Sequence, residues 1–175
     1  METDLQAIIE TGTSTLVTFL EDNELVELGV PDLGERADAL GLDWYHVRIP
    51  NAGTPDKKAE SLWQAIVKNF HWDIKNGQTV VIHCKGGLGR TGMMTARLLM
   101  DLGKSVEDAI AMVRKARPGA IETRRQERHL KGLPVLEDDD EIAGSQFAVT
   151  HWKAKALEEK RSEDPHTGIK LVEKN

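Results

Sequence analysis

The chain has 175 residues, 39% of them hydrophobic and 30% charged, the balance of a globular domain with a short appendage rather than of a fibrous or disordered chain. Its 23 Lys and Arg against 29 Asp and Glu leave a formal net charge of -6, which argues against a general nucleic-acid binder or a protein of anionic membranes. A single cysteine, Cys84, excludes an intramolecular disulfide framework and a multi-cysteine zinc site, and no apolar run reaches the roughly 20 residues that span a bilayer. The N-terminus carries acidic residues in place of a basic start and an apolar signal core, so the expected location is the cytoplasm, with a reduced thiol.

In chain order, Asp4 to Thr11 reads as a first helix, and Ser14 to Leu20 (STLVTFL) as a buried, β-branched strand. Glu21, Asp22 and Asn23 supply caps and first-turn acids for a short helix ending at Gly29. Asp32 to Leu40 reads as a further helix closed by Gly41, and Asp43 to Ile49 as a second strand. The stretch PNAGTP, Pro50 to Pro55, supports neither helix nor strand and is a loop. A helix then runs from Asp56 to about Lys75, its apolar face expected at Leu62, Ile66, Phe70 and Ile74, with Trp63 and Val67 alongside. Thr79 to His83 (TVVIH) has the continuous apolar character of a strand buried on both faces.

A glycine-rich turn and a helix from Thr91 to Leu102 follow, the helix apolar nearly all round and so expected at the centre of the fold. Ser105 caps the next helix, whose Val106, Ile110 and Val113 face inward, and Thr123 caps a last one reaching to about Leu133. Strands alternating with helices indicate an α/β fold, a central and mostly parallel sheet flanked by helices. Residues 1–134 form the expected domain. Residues 135–175, opening on the acidic block Glu137 to Glu141, read as a linker and a charged tail with a helix at His151 to Arg161.

The chemistry concentrates at His83-Cys84-Lys85-Gly86-Gly87-Leu88-Gly89-Arg90-Thr91-Gly92, between a strand and a helix. Three features there favour an anion. A helix N-terminus offers unpaired N–H groups, Arg90 is permanently cationic, and the glycines let successive N–H groups turn into one concavity. A phosphate dianion suits such a cradle, and a thiolate at its floor would be placed to attack phosphorus. The bland alternative is an inert buried cysteine beside a tight turn. Gly87 to Gly92 also matches the G-x-G-x-x-G dinucleotide fingerprint, but that motif expects a second strand and an acid about 20 residues on, and here Asp108 lies in a helical pattern with no strand between.

His-Cys, five residues, then Arg-Thr-Gly resembles the signature of the cysteine-dependent tyrosine and dual-specificity phosphatases. With IPNAGTPD at Ile49 to Asp56 and RPGAIETRRQ at Arg117 to Gln126, the chain is most similar to the kinase-associated phosphatase (cyclin-dependent kinase inhibitor 3) group, over roughly Asp4 to Leu133. The resemblance implies a phosphatase-like fold with a strand, a phosphate-binding loop and a helix at its active site. It implies Cys84 as nucleophile, and a phosphate cradle of Lys85, Gly86, Gly87, Leu88, Gly89 and Arg90, the guanidinium clamping the equatorial oxygens. It further implies that Thr91 donates its hydroxyl to the sulfur and that His83 supports the loop through hydrogen bonds. Gln126 would position the hydrolytic water, or else be an ordinary exposed helix residue.

The sequence departs from this pattern where the family carries a general-acid Asp. That position is Asn51, and an amide delivers no proton. The nearest carboxylate on the loop is Asp56, which is either the acid or the N-cap of the following helix. The expected substrates are therefore phosphoprotein monoesters, phosphotyrosine ahead of phosphoserine and phosphothreonine, turned over through a cysteinyl-phosphate. The alternative is a catalytically weak phosphotyrosine-binding module. Neither cofactor nor metal is implied, since His46, His71, His129, His151 and His166 show no ligand spacing. Lys85 is reminiscent of phosphoinositide phosphatases, but Leu88 stands where those enzymes tend to carry a second base. Relatives also carry an extra hairpin ahead of the first helix, so one sheet edge is expected to need cover, from the Phe147 to Trp152 segment or a second copy of the chain.

Overall fold

The computed structural model describes residues 2–132 and the strand Ile169–Leu171. Its elements are α1 (Glu2–Glu10), β1 (Thr13–Thr18), α2 (Asp22–Glu27), α3 (Leu33–Ala39), β2 (Asp43–His46), α4 (Lys57–Lys75), β3 (Thr79–His83), α5 (Gly89–Asp101), α6 (Val106–Ala116), α7 (Arg124–Leu130) and β4 (Ile169–Leu171). The strands form one parallel sheet in the order β2-β1-β3-β4. Side chains alternate across it, as the two-residue period of a strand requires. Val17, Phe19, Val80 and Ile82 point into a core built by α4 to α7, whereas Leu16 and Val81 point into a second core built by α1 to α3. Both faces are thus covered, which is why the strands read as continuous apolar runs.

Chain order on this sheet places the site. From β1 the chain crosses to β2 on one side and then returns to β3 on the other, so the strand order reverses at β1. Open α/β sheets bind ligands in the crevice beyond the carboxyl ends of the strands at such a reversal. Phe19, Leu20 and the glycine-rich turn after His83 lie at that crevice, tied together where the Phe19 N–H donates to the His83 carbonyl at 2.9 Å.

The helices start where the sequence chemistry places them. Asp56 accepts from the Ala59 N–H at 2.7 Å, Ser105 caps α6 through the Asp108 N–H, and Thr123 with Gln126 forms a capping box on α7. The apolar face of α4 is the expected one except at Leu62. Trp63, Ile66, Val67 and Phe70 are buried together with Ala59, Ile74 packs against the same core, and Leu62 is 39% exposed because Trp63 is the residue that reaches the centre. There Phe19, Trp63, Phe70 and Tyr45 meet as tilted and edge-on ring pairs. As expected, α5 is buried along most of its length. Strand β2 ends at His46 rather than Ile49, although the Val47 N–H still reaches the Thr18 carbonyl.

The segment that covers the outer edge of β3 is Ile169–Leu171, in register with Val80 to Ile82. The segment expected to supply cover, Phe147 to Trp152, and the predicted helix at His151 to Arg161 lie outside the described residues.

Gly34 on α3 is a close approach. A Cβ there would stand 2.2 Å from the Trp44 ring, whose indole N–H donates to Thr18 Oγ1 at 2.9 Å. Gly34→Ala should therefore push the indole off β1 and lower stability by about 1–3 kcal/mol, read as a depressed Tm in thermal denaturation.

Candidate active site

Strand β3 delivers His83 and Cys84 to the crevice, and residues 84–88 then wrap back before α5 begins at Gly89. Gly87 has φ +66°, a conformation that the absence of a Cβ makes accessible and that reverses the loop. The Cys84 thiol is partly exposed at a cavity of about 60 Å³ lined by Asn51, Ala52, Gly86, Leu88, Gly89, Arg90 and Glu122. That volume matches a small anion. Sites for larger organic ligands run to roughly 300–1,000 Å³. The dinucleotide reading also loses its topology, since α6 follows α5 with no strand between them.

Arg90 is 2% exposed and held on three sides. Its Nη1 donates to the Phe19 and Ile49 carbonyls at 3.2 and 3.0 Å and to Glu24 Oε2, and its Nη2 donates to Glu24 Oε1 at 2.8 Å. Three elements thus grip one end of the guanidinium, leaving Nε–H and one Nη2–H as the donors on its other edge. Burial pulls Arg90 down, but the Glu24 bond and the neighbouring Cys84 sulfur outweigh it, and the guanidinium sits above the ordinary arginine value. The bond from Arg90 holds the Glu24 carboxyl below the ordinary glutamate value, against the burial that raises it. Glu24 escaped the sequence reading because, three residues into a short helix, it looks like one more first-turn acid. It does fill that role, accepting the Glu21 N–H at 3.0 Å, but the pairing with Arg90 spans 66 residues of sequence.

The other predicted residues fall as follows. The Thr91 hydroxyl is buried and meets no hydrogen-bond partner among the described residues. Gln126 is fully buried, not an exposed helix residue. Its Oε1 accepts from the Glu122 and Thr123 N–H groups at 2.9 and 3.3 Å, and its Nε2 donates to the Gly53 carbonyl at 3.3 Å. Asp56 is engaged by the cap of α4 and stands outside the cavity lining, as do Lys85 and Gly87. Asn51 lines the cavity. The His83 ring lies 2.7 Å from Thr18 Oγ1, on the neighbouring strand. Arg117 was not singled out in the sequence, yet its Nη2 donates to the Gly86 carbonyl at 2.9 Å and braces the loop from outside. Among the described residues no group of His, Cys, Asp and Glu is arranged to hold a metal, and no helix is long and apolar enough to cross a membrane.

A parallel sheet whose switch point carries a strand, a glycine-rich turn from Cys84 to Arg90 and a buried helix is the fold of the cysteine-signature phosphatases. Residues 1–130 match the family model described as Swiss Army Knife protein, DSP-PTPase phosphatase domain, and the chain belongs to that family. It is 33% identical over 133 residues to rat cyclin-dependent kinase inhibitor 3, covering 74% of this chain and 61% of that protein. It is also 33% identical to mouse protein tyrosine phosphatase type IVA 3, over 65% of this chain and 69% of the relative. The chain thus spans about three fifths of the length of the cyclin-dependent kinase inhibitor 3 proteins that it matches.

Among solved structures, kinase associated phosphatase with its catalytic-site cysteine replaced by serine superposes with a TM-score of 0.67 at 31% identity, covering 74% of this chain and 72% of that one. Tk-PTP in its active form superposes with a TM-score of 0.64 at 31% identity, covering 76% and 85%.

Because the folded-state value of Glu24 is depressed, its pairing contributes stability that is complete above about pH 4.5 and lost as pH falls through the lowered value. Denaturation of wild type and Glu24→Gln at a series of pH values should show a gap at pH 7 that closes only in that acid window. Glu24→Ala, which strands a buried guanidinium, should cost about 3–5 kcal/mol at pH 7.

Proposed function

We propose that the chain is a phosphatase of phosphoprotein monoesters, phosphotyrosine preferred, acting through a cysteinyl-phosphate intermediate. One observation carries the reading: the partly exposed Cys84 and a buried, clamped guanidinium border the same anion-sized cavity. The phosphoryl group would sit on the N–H groups of residues 85–90, with Arg90 Nε–H and Nη2–H taking two of its oxygens as a fork. Cys84 sulfur would attack phosphorus opposite the ester oxygen, and Arg90, fixed before substrate arrives, needs no reorganisation as charge spreads over the equatorial oxygens. The orphan hydroxyl of Thr91 would stabilise the departing sulfur in the second step, and Gln126 would hold the loop against which water is positioned.

The preference for aryl esters follows from Asn51, which lines the cavity but supplies no proton. Phenolate leaves with less assistance than a serine or threonine alkoxide. The substrate in this reading is a phosphorylated protein: the cavity of about 60 Å³ has room for the phosphoryl end, and the net charge of -6 disfavours nucleic acid and anionic lipid. The unit that carries this chemistry is residues 1–134, and 135–175 is an appendage from which Ile169–Leu171 joins the sheet.

Turnover of p-nitrophenyl phosphate and of a phosphotyrosine peptide tests the reading. Wild type should release phosphate, Cys84→Ser should reduce release to background, and Arg90→Lys, which loses the fork, should lower kcat/KM by about 10²-fold or more. Tight phosphopeptide binding by wild type without release would instead identify a phosphotyrosine-binding module.

A further inference from the structure

The mechanism above leaves the proton for the leaving oxygen unassigned. Asn51 has none to give, Asp56 is taken up by a helix cap, and Glu24 is committed to Arg90. Among the described residues that line the cavity there is one carboxylate, Glu122. We propose that Glu122 is the general acid of the first step and the general base of the second, supplied from the turn at 120–126 rather than from the loop that holds Asn51. The proposal rests on the phosphatase reading and adds to it the residue that moves the proton.

Four observations place Glu122 for this. Its Oε2 lies only 2.9 Å from where a Cβ on Gly89 would stand, so the carboxylate sits directly against the cradle and glycine is what makes the room. Its backbone is held, since its N–H donates to Gln126 Oε1 at 2.9 Å and the preceding Ile121 N–H donates to the Leu88 carbonyl of the cradle at 3.2 Å. Ile121 has φ +61°, a left-handed conformation that a β-branched residue adopts at a cost of order 1–3 kcal/mol. The structure thus holds strain at the residue that aims Glu122. Finally, the Glu122 carboxylate is exposed and has no hydrogen-bond or ion-pair partner among the described residues, unlike Glu24 and Asp56.

The same contacts tie Glu122 to the loop bearing Asn51. Thr123 Oγ1 donates to the Ala52 carbonyl and Gln126 Nε2 to the Gly53 carbonyl, both at 3.3 Å. The leaving oxygen would emerge between these two walls. In the first step the Cys84–phosphorus bond forms as the phosphorus–oxygen ester bond breaks, and the Glu122 carboxyl proton passes to the leaving oxygen. In the second, water attacks phosphorus, the bond to sulfur breaks with its electron pair returning to Cys84, and a water proton passes to the Glu122 carboxylate. Phosphate departs and the acid is regenerated. Alkyl phosphates then stay within reach of the enzyme while aryl phosphates remain faster.

The test is a leaving-group series, from p-nitrophenyl phosphate through phenyl phosphate to a phosphoserine peptide, run with wild type, Glu122→Gln, Glu122→Asp, Asp56→Asn and Cys84→Ser. Glu122→Gln should lose about 10²–10⁴-fold in kcat/KM on phenyl phosphate and less than about tenfold on p-nitrophenyl phosphate, and its pH profile should lose the basic limb. Glu122→Asp should recover part of the rate and keep that limb. An equal loss on every ester, no loss on any, or the steepened series appearing in Asp56→Asn would overturn the proposal, while loss of turnover in Cys84→Ser would leave the phosphatase reading standing. Absence of turnover by wild type on every ester would overturn both.

Discussion

The pairing of Arg90 with Glu24 is the constraint on which the site depends. A buried guanidinium without a partner is costly, so Arg90 is held at 2% exposure only because a carboxylate and two carbonyls converge on it from the end of β1, from α2 and from the β2–α4 loop. Those contacts satisfy the end of the fork while Arg90 also lines the cavity beside Cys84. Charge alone would not do this. A lysine ammonium, with its donors around a point, has no second edge to present.

A second constraint is the clamp between the loop at 50–55 and the turn at 120–126. Gln126 sits fully buried between them, bonding to Gly53 on one side and to the N–H groups of Glu122 and Thr123 on the other. Ala52 and Ile121 are the non-glycine residues with positive φ among those described, and each lies in one of these segments, beside the cavity. Strain gathered around a cavity and held by buried hydrogen bonds is what a preorganised site looks like. Gly92 adds to this, because a Cβ there would meet the Ile121 nitrogen at 2.8 Å, so α5 approaches the turn as closely as its backbone allows.

Cys84, Arg90, two glycines of the turn and Asn51 all border the cavity, and the sequence signature leads one to expect a carboxylate where Asn51 stands. The clamp offers a way to understand that exchange. Two segments that border the cavity, 50–53 and 122–126, are hydrogen-bonded to each other, and each contributes a polar side chain to its lining, Asn51 and Glu122. In the proposed reaction a proton donor absent from the first can be supplied by the second.

What the sequence determined by itself is local. Hydrophobic period, caps and glycine stops were enough for the alternation of strands and helices from α1 to α7, and the glycine spacing between Cys84 and Arg90 was enough for a turn between β3 and α5, because these depend on interactions within a few residues. Tertiary structure decided what depends on distant segments meeting. It set the edge of the buried face of α4, where Trp63 packs against Phe19 and Phe70 and Leu62 alone of the expected row is left exposed. It set Glu24 as the partner of Arg90 and Asp56 as a cap, two acids that look alike in the sequence and differ only in what folds against them. It also brought Glu122, inconspicuous ahead of a helix, to within 2.9 Å of the position a Gly89 side chain would take. Spacing along the chain carries no information about such pairs, because their separation in space is fixed by the order of strands in the sheet rather than by the residues between them.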